Sequence, residues 1–466
     1  MQVSIRNLSE AALHPDYRWD SEYLCFEPYK NKNIKYIPIG DALTSSQYGL
    51  SIEMNEDGNG TLIYRMNEIS NMMCHRNILK YAPISKNEIT SYKLNDKDVL
   101  FNRTNSQVFV GRTGIFRKFS DEDLVFASYL VRVVPNSEII TPEYLTAFLN
   151  TKYGVLDIKR RARISINQSN VNAEELKRVE IPLVDSRLQS QVVLAFDEAF
   201  KCIQRSEYKF NEAQTLLLSE LGLSDWQPKH QLSFVKNHSD TEQAERIDAE
   251  YFQPKYEEIV KAIKAYKGGW DKLGNLAKLK DKNFNPLEKQ QYKYIELANI
   301  TGNGEIADCM IEEGQDLPTR ARRKVATGDV IVSSIEGSLN SIALIEKDYS
   351  QALCSTGFHV VNSKTFNPET LLVLLTSIVG QLQLKKGCSG TILTAINRDE
   401  FKQVLLPKVI QAKQTEIQQK VIESFNLRKQ SKHLLECAKR AVEIAIEQNE
   451  QAAINWLEGE TKEMQI

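Results

Sequence analysis

The sequence predicts an α+β protein with two similar mixed α/β domains in a pseudo-twofold arrangement, separated by two long antiparallel helices that pack together. Three observations predict this fold: the chain length, an internal repeat, and two long stretches without glycine or proline. At 466 residues the chain exceeds what one hydrophobic core usually supports. Its composition, 42% hydrophobic and 26% charged, is that of an ordinary globular protein.

An internal repeat relates the two halves of the chain. The matching pairs are RWDSEY at 18–23 with RIDAEY at 246–251, DVL at 98–100 with DVI at 329–331, and IPL at 181–183 with LPK at 406–408. These pairs are collinear, and their offset stays close to half the chain length. One such duplication predicts two similar domains and not the short repeats of a solenoid.

Each copy has the same order of local signals. Short apolar or alternating runs typical of strands come first, then a helix that opens at Pro142 or Pro368, then a basic and polar loop and a long helical stretch. The expected parts are a first domain at 1–185, a central helix at 186–222, a linker at 223–240, a second domain at 241–409, and a C-terminal helix with an acidic tail at 410–466.

Two stretches without glycine or proline predict the long helices. Their apolar seams consist of Phe196, Ile203, Phe210 and Leu217 in the first stretch, and of Val421, Leu435 and Val442 in the second. Arg428 interrupts the second seam. Because the apolar stripe of a helix about 54 Å long needs a partner, we expect the two helices to pack against each other. The alternative is that each helix shields the core of its own domain.

The sequence predicts no membrane span, metal site or cofactor. Its apolar runs are shorter than the roughly 18 residues of a membrane span, and the N-terminal residues lack the pattern of a secretory signal, so a cytoplasmic location is expected. Seven cysteines, none in CxxC spacing, predict reduced thiols. Phosphate-loop, dinucleotide, nucleophile-elbow and zinc-protease motifs are all missing from the sequence, so no catalytic residue is predicted.

Basic clusters in the first copy predict a DNA-binding surface despite a net charge of −2, because net charge hides how charge is distributed. The residues are Lys159, Arg160, Arg161, Arg163, Asn167 and Gln168 in one run, and Arg103 and Asn105 in another. Arginine and lysine neutralise phosphates, whereas asparagine and glutamine can read base edges. The alternatives are a solvated charge run and, for Asn105, a side chain that satisfies a turn.

The second copy has basic clusters of different sequence. They consist of Lys278, Lys280, Lys282, Arg320, Arg322, Arg323, Lys385 and Lys386. Clusters that differ within a repeated framework are typical of two domains that read different DNA half-sites, although drift on exposed loops would leave a similar pattern.

These features together resemble the specificity subunits of type I restriction-modification systems over nearly the whole chain. The matching segments are DVLFNRTNS at 98–106, VGR at 110–112, DV at 329–330, LKRVEIP at 176–182 and FKQVLLP at 401–407. The resemblance adds Arg112 to the candidate DNA contacts. The second copy departs from the pattern, because it lacks the RTNS run and has Glu416 where the first has Gln191.

The resemblance implies a non-catalytic DNA-binding protein in which two target-recognition domains each read one half of a bipartite site. The helices would set the unread spacer. Two methyltransferase (modification) subunits would dock on the helices and flip the target adenine out of the duplex, and restriction or translocase subunits could join. Two alternatives from other classes are a repeat-built protein-interaction scaffold, and a nuclease or methyltransferase with unrecognised motifs.

Overall fold

The computed structural model describes residues 18, 20, 23–24, 26–76, 78, 80–165, 168–307, 309–390 and 394–463. The chain divides into two compact units, Met1–Ile203 with Lys429–Ile466, and Gln204–Arg428. Both division points fall inside long helices, so each unit contains one domain together with parts of both helices. None of the helices in these described ranges is long and apolar enough to cross a membrane.

The α-helices are numbered in chain order. They are α1 Lys86–Tyr92, α2 Pro142–Asn150, α3 Lys152–Arg161, α4 Ala173–Lys177, α5 Ser186–Glu220, α6 His238–Ala244, α7 Pro254–Ala265, α8 Leu273–Leu276, α9 Pro368–Thr376, α10 Ile378–Lys386, α11 Arg398–Gln403, α12 Gln411–Glu447 and α13 Glu450–Glu463.

The strands of the first unit are β1 Tyr36–Pro38, β2 Leu43–Tyr48, β3 Thr61–Tyr64, β4 Ile69–Ser70, β5 Met73–Cys74, β6 Tyr81–Ala82, β7 Val99–Asn102, β8 Thr104–Asn105, β9 Thr113–Ile115, β10 Leu124–Phe126, β11 Leu130–Pro135, β12 Arg163–Ser165, β13 Gln168–Asn170 and β14 Glu180–Pro182. Those of the second unit are β15 Trp270–Lys272, β16 Ala277–Leu279, β17 Gln291–Ile295, β18 Met310–Glu313, β19 Ala321–Lys324, β20 Val330–Ser333, β21 Ile342–Leu344, β22 Leu353–Ser355, β23 Phe358–Ser363, β24 Cys388–Ser389, β25 Ala395–Ile396 and β26 Leu405–Pro407.

The two domains share one topology. The first has the strand order β2-β11-β7-β9, extended by β5 and β4, and the second has the order β16-β23-β20-β21. The shared strands are antiparallel in both. A second sheet contains β10-β3-β6 in the first domain and β22-β17-β18 in the second, each with one parallel and one antiparallel pairing. These matches confirm the prediction of two similar mixed α/β domains.

The repeated DVL and DVI segments form the central strands β7 and β20. All four residues of each strand are buried, which explains the continuous apolar run. The preceding aspartate closes a turn in both copies: Asp98 accepts a hydrogen bond from the Asn95 amide, and Asp329 accepts one from the Ala326 amide. The repeat therefore has a structural origin at this position.

The predicted proline-started helices are α2 and α9. Thr141 caps the first and Asn367 caps the second, each by accepting a hydrogen bond from a backbone amide in the first turn. Both helices bury most of their residues. Each continues almost directly into a second helix, α3 or α10, which ends in basic residues.

In the second unit, α5 and α12 pack antiparallel. Phe210 and Leu217 share a buried cluster with Val421, and Lys209 lies 3.3 Å from Glu423 while Lys420 lies 3.3 Å from Glu212. The same cluster contains core residues of the second domain. In this unit the helices therefore both pack against each other and shield the core of the domain. The predicted antiparallel packing is confirmed here.

The predicted seam residues are buried with one exception. In the first unit Phe196, Leu435 and Val442 are all buried. Ile203 is half-buried, and its neighbour Cys202 takes the fully buried position. An α-helix has 3.6 residues per turn, so a strict seven-residue spacing drifts around it and buried positions shift by one residue.

Candidate nucleic-acid interface

A small antiparallel sheet in the first domain gathers two polar segments that are distant in sequence. Its middle strand, β13, pairs with β12 on one side and with β8 on the other. Arg163 is paired with Asn170, and Ser169 is paired with Asn105. Arg163 and Gln168 are exposed, whereas Ser169 is buried. The sheet thus joins the two candidate clusters predicted separately from the sequence; we call it the β8–β13–β12 surface.

Arg103 lies at the edge of this surface, and its guanidinium is held against one aromatic ring. Its guanidinium lies 4.8 Å from the centroid of the Tyr48 ring, and Nη1 donates a hydrogen bond to the Ser128 carbonyl at 3.4 Å. Its backbone amide donates to the Tyr129 carbonyl. Tyr48 and Tyr129 are both about two-fifths exposed, at 41% and 39%. Aromatic faces beside a cation are suited to stacking on nucleotide bases.

The loop before β9 adds Arg112 to the same region, and Lys159 of α3 contacts this loop. Arg112 lies over the Phe109 ring at 4.0 Å, and Lys159 Nζ donates to the Val108 carbonyl at 3.4 Å. Gly111 has a φ of +90°, and a Cβ there would lie 2.6 Å from Ile158 Cγ2. Only glycine therefore lets this loop pack closely on α3, which explains the GR pair of the matched motif.

Arg160 and Arg161 are engaged inside the domain. Arg161 is 4% exposed, and its guanidinium donates to Asp157 at 3.0 Å and to Glu175 at 3.3 Å. Arg160 donates to Asp157 at 2.5 Å and to the Tyr23 carbonyl at 3.0 Å. Two adjacent cations held this way fix the end of α3 where the chain enters β12. We therefore assign both residues a structural role and leave them out of the DNA-facing set. Asn167 lies outside the described residues.

The repeated RxDxEY motif forms a clasp in both domains. Arg18 pairs with Asp20 and donates to the Arg161 carbonyl at 2.7 Å. Arg246 pairs with Asp248 and donates to the Cys388 carbonyl at 3.1 Å. In each copy this carbonyl lies where the chain passes from a helix with a basic end into a short hairpin: from α3 into β12–β13, and from α10 into β24–β25. The Arg246 guanidinium also holds the pKa of Asp248 below its usual value.

From the sequence alone, this motif was recognised as a repeat, but no role was predicted for it. Its tyrosines also receive cations: Tyr23 lies under Arg18 and Arg160, and Tyr251 lies under Arg246 and Lys386. A repeated Arg-Asp pair two residues apart was the available signal.

In the second domain, β24 and β25 form the hairpin in the equivalent position. β25 also bridges to Ile335 just after β20, through Ala395. Lys385 precedes this hairpin and is exposed, whereas Lys386 is partly buried over Tyr251, and that burial lowers the pKa of its ammonium group. As in the first domain, basic residues at the end of a helix lead directly into the hairpin.

The remaining candidates of the second domain divide into exposed and engaged side chains. Lys278, Lys282 and Arg320 are exposed. Lys280 donates to the fully buried Asp329 at 2.6 Å, which gives it a structural role.

Two candidate arginines of the second domain are tied to neighbouring groups. Arg322 donates to the Thr319 carbonyl at 3.1 Å and to Asn285 at 3.4 Å. Arg323 lies 3.9 Å from Asp281. These contacts direct the two side chains towards neighbouring groups of the domain.

The fold and these surfaces define a duplicated protein whose two domains present different basic hairpins on one framework. No model of a protein family matches the sequence. The chain is similar to the specificity subunit of the type I restriction enzyme EcoKI of Escherichia coli, with 25% identity over 189 residues, which cover 40% of each chain. It is also similar to a protein assigned as the MjaX specificity subunit of Methanocaldococcus jannaschii, with 29% identity over 209 residues, 41% of this chain and 49% of that one.

These relatives confirm the resemblance predicted from the sequence, and they favour it over the scaffold and enzyme alternatives. The chain spans less than half the length of each curated relative that it matches. Among solved structures, the S subunit from M. genitalium is similar over 92% of this chain and 98% of its own, with 12% identity and a TM-score of 0.33. The HsdS subunit from Thermoanaerobacter tengcongensis has 11% identity over 91% of this chain and 99% of its own, with a TM-score of 0.29.

Proposed function

We propose that this chain is the non-catalytic, DNA-reading specificity subunit of a type I restriction-modification complex that acts in the cytoplasm. Each domain reads one half of a bipartite target in double-stranded DNA. The observation that carries the proposal is the equivalent hairpin in the two domains, held by the same RxDxEY clasp but carrying different polar residues. A shared framework with different exposed residues is what two different half-sites require.

The proposed DNA-facing residues of the first domain lie on the β8–β13–β12 surface and on or beside the loop before β9. We assign phosphate contacts to Arg163 and Lys159, and a base contact to Gln168. Asn105 Oδ1 accepts a hydrogen bond from the Ser106 amide at 2.8 Å, as the turn alternative predicts, so we assign only its Nδ2 group to a base. Arg103 and Arg112 lie over aromatic rings, so we assign them to the edge of the contact. Arginine and lysine neutralise phosphates, and glutamine can form paired hydrogen bonds with adenine.

In the second domain, the DNA-facing set consists of the exposed cations Lys278, Lys282, Arg320 and Lys385. Lys280, Arg322, Arg323 and Lys386 have partners within the domain, so we assign them to shaping the surface.

The partners follow from the same proposal. Two methyltransferase subunits dock on the long helices and modify adenine, and restriction or translocase subunits complete the complex. The helices α5 and α12, which contribute residues to both units, set the unread spacer between the half-sites. The subunit itself needs no cofactor, because the transferred methyl group and its donor belong to the modification subunits.

A salt titration of DNA binding tests the proposed surface. We expect Arg163→Ala to weaken binding for all sequences and to reduce the slope of log affinity against log salt by about 1, because one phosphate loses its cation. We expect Gln168→Ala to leave the slope unchanged and to relax discrimination at one base pair, by about 1–3 kcal/mol. Fluorescence anisotropy with the chain assembled with its modification subunits measures both.

Lys86→Ala is the matched control, because Lys86 is an exposed cation on α1, outside the β8–β13–β12 surface. It should leave affinity and salt slope unchanged. An Arg163→Ala complex with the slope of this control would remove the surface from the DNA contact. Absence of any sequence preference in the assembled wild-type complex would reject the proposed function itself.

A further inference from the structure

Three potential metal ligands meet near the C-terminal end of the described chain. His433 and Cys437 lie one turn apart on α12, and Glu460 reaches them from α13. One ligand atom from each residue lies within 4.8 Å of the other two. His433 Nε2 lies 3.6 Å from Cys437 Sγ and 3.7 Å from a Glu460 carboxylate oxygen.

These separations fit ligands arranged around a tetrahedral ion. With a metal–sulfur bond of about 2.3 Å, a metal–nitrogen bond of about 2.05 Å and a tetrahedral angle, the sulfur and nitrogen lie about 3.6 Å apart. The same construction places nitrogen and carboxylate oxygen about 3.4 Å apart. The first distance agrees with the observed 3.6 Å and the second falls 0.3 Å short of the observed 3.7 Å. The separation between Cys437 and Glu460 is at most 4.8 Å, against about 3.6 Å for the same construction. An ion would therefore draw the Glu460 carboxylate inward by up to about 1.2 Å.

The two helices that carry the ligands are firmly packed. On α13, Ile454 and Leu457 are buried, and Leu457 lies one turn before Glu460. On α12, Ala438 and Ala441 are fully buried beside the ligands. Helices anchored by apolar contacts keep the ligand spacing without the ion, which lowers the cost of ordering the site.

The surroundings favour a cation. His433 is 54% exposed and opens the site to solvent, whereas Cys437 is buried. The carboxylates of Glu460 and Glu436, one on each helix, would stabilise a bound divalent ion.

We propose that His433, Cys437 and Glu460 bind a divalent transition-metal ion of the zinc class, which ties α13 to α12. Sulfur and imidazole ligands select zinc-type ions over magnesium and calcium, which prefer oxygen ligands. Three protein ligands leave the fourth position to water. The sequence predicted no metal site. Here the third ligand comes from a different helix and the His433–Cys437 spacing is not a CxxC pattern, so sequence spacing does not reveal the group.

Cobalt absorption tests the site in the full-length, untagged chain. We expect one equivalent of Co²⁺ to produce a sulfur-to-cobalt charge-transfer band together with the visible bands of a tetrahedral ion, and Zn²⁺ to displace it. Cys437→Ser should abolish the charge-transfer band. Glu460→Gln should weaken Co²⁺ binding at least about tenfold, because one of the ligands is lost.

The matched control is His238→Gln. His238 and Glu242 form an exposed pair with the same i,i+4 spacing and a separation of 3.4 Å, but that pair has no cysteine partner. The control should bind Co²⁺ like the wild type, and Zn²⁺ should raise the melting temperature of both but not of Cys437→Ser. Circular dichroism in EDTA checks that every variant is folded. Glu460→Gln, at a half-buried position, keeps the proposal testable if Cys437→Ser does not fold. A charge-transfer band that persists in Cys437→Ser, or equal Co²⁺ affinity in Glu460→Gln and wild type, would overturn the proposal.

Discussion

Glu447 shows how single side chains connect the end of α12 to the helix that leads to the β8–β13–β12 surface. Its carboxylate accepts hydrogen bonds from Arg440 at 2.9 Å and from the Tyr153 hydroxyl at 3.1 Å, and it lies 2.5 Å from Lys152. The hydrogen bond from Arg440 contributes most to lowering the pKa of Glu447, and Lys152 and Tyr153 lower it further, to about 2. Nearby, Glu443 accepts a hydrogen bond from the Lys152 amide at the start of α3. The acidic residues at this end of the chain therefore dock α12 on the first domain.

The lowered pKa of Glu447 predicts an acid-sensitive contribution to stability. A carboxyl group whose pKa falls from 4.5 in the unfolded chain to about 2 in the folded one stabilises the fold above pH 4.5. That contribution is lost as the pH falls from 4.5 towards 2. We expect Glu447→Gln to lower the free energy of unfolding by about 1 kcal/mol at pH 7, after allowance for solvent screening, and to have little effect near pH 2. Urea denaturation at a series of pH values measures this difference.

Glu458→Gln is the control, because Glu458 is a carboxylate on the neighbouring helix α13 that forms no ion pair with the other described residues. It should leave the pH dependence unchanged. Parallel unfolding curves for Glu447→Gln and wild type between pH 2 and 7 would contradict the assigned role.

At the scale of elements, the pairing of α5 and α12 contains a polar layer inside an otherwise apolar seam. Ser206 and Ser424 are fully buried and hydrogen-bonded at 3.0 Å. Arg428 is 6% exposed, and it donates hydrogen bonds to Ser206 at 2.8 Å and to the Asn303 carbonyl at 3.0 Å. Its burial lowers the pKa of the guanidinium. Buried polar groups of this kind can fix the register of paired helices at a cost in stability.

The polar layer predicts opposite effects for two substitutions of Arg428. We expect Arg428→Met to be neutral or to raise the free energy of unfolding by about 1–2 kcal/mol, because an apolar side chain of similar length removes the cost of burying a charge. We expect Arg428→Ala to lower it by about 3 kcal/mol, because truncation also leaves a cavity between the helices that the longer methionine side chain fills. Urea unfolding measures both. Equal losses for the two variants would mean that the guanidinium itself stabilises the pair.

At the scale of the whole molecule, one framework occurs twice in one chain. Both domains join their first and last strands, β1 with β14 and β15 with β26, so the chain enters and leaves each domain at one place. Each exit strand is followed within a few residues by a long helix, of 35 residues for α5 and 37 for α12. Because entry and exit are adjacent, a domain can change its hairpin without changing its connection to the helices.

This organisation predicts that helix length and half-site sequence are separable. We expect removal of seven residues from α5, together with seven from the paired part of α12, to change the tolerated spacer while both half-sites stay the same. Seven residues correspond to about two helical turns, or about 10 Å, and preserve the apolar seam. Mapping of methylated adenines in a host that carries the shortened subunit measures both properties. Altered half-sites with an unchanged spacer would reject the proposed role of the helices.

Local and repeated features were predictable from the sequence because they depend on near neighbours. Pro142 and Pro368 start helices, the Asp98 and Asp329 turns precede buried strands, and glycine-free stretches form long helices. Each of these follows from backbone sterics or from the period of apolar residues, so a few residues are enough to decide it.

Only the tertiary structure decided which candidate side chains are available. Arg160 and Arg161 read as part of the strongest basic cluster, yet Asp157 and Glu175 hold them inside the domain. Composition cannot show such a pairing, because the partners of a buried charge are set by packing. The sequence by itself determined the duplicated framework. The folded chain decided which charges face solvent, since burying a cation requires acceptors that only distant segments, brought together in the fold, can supply.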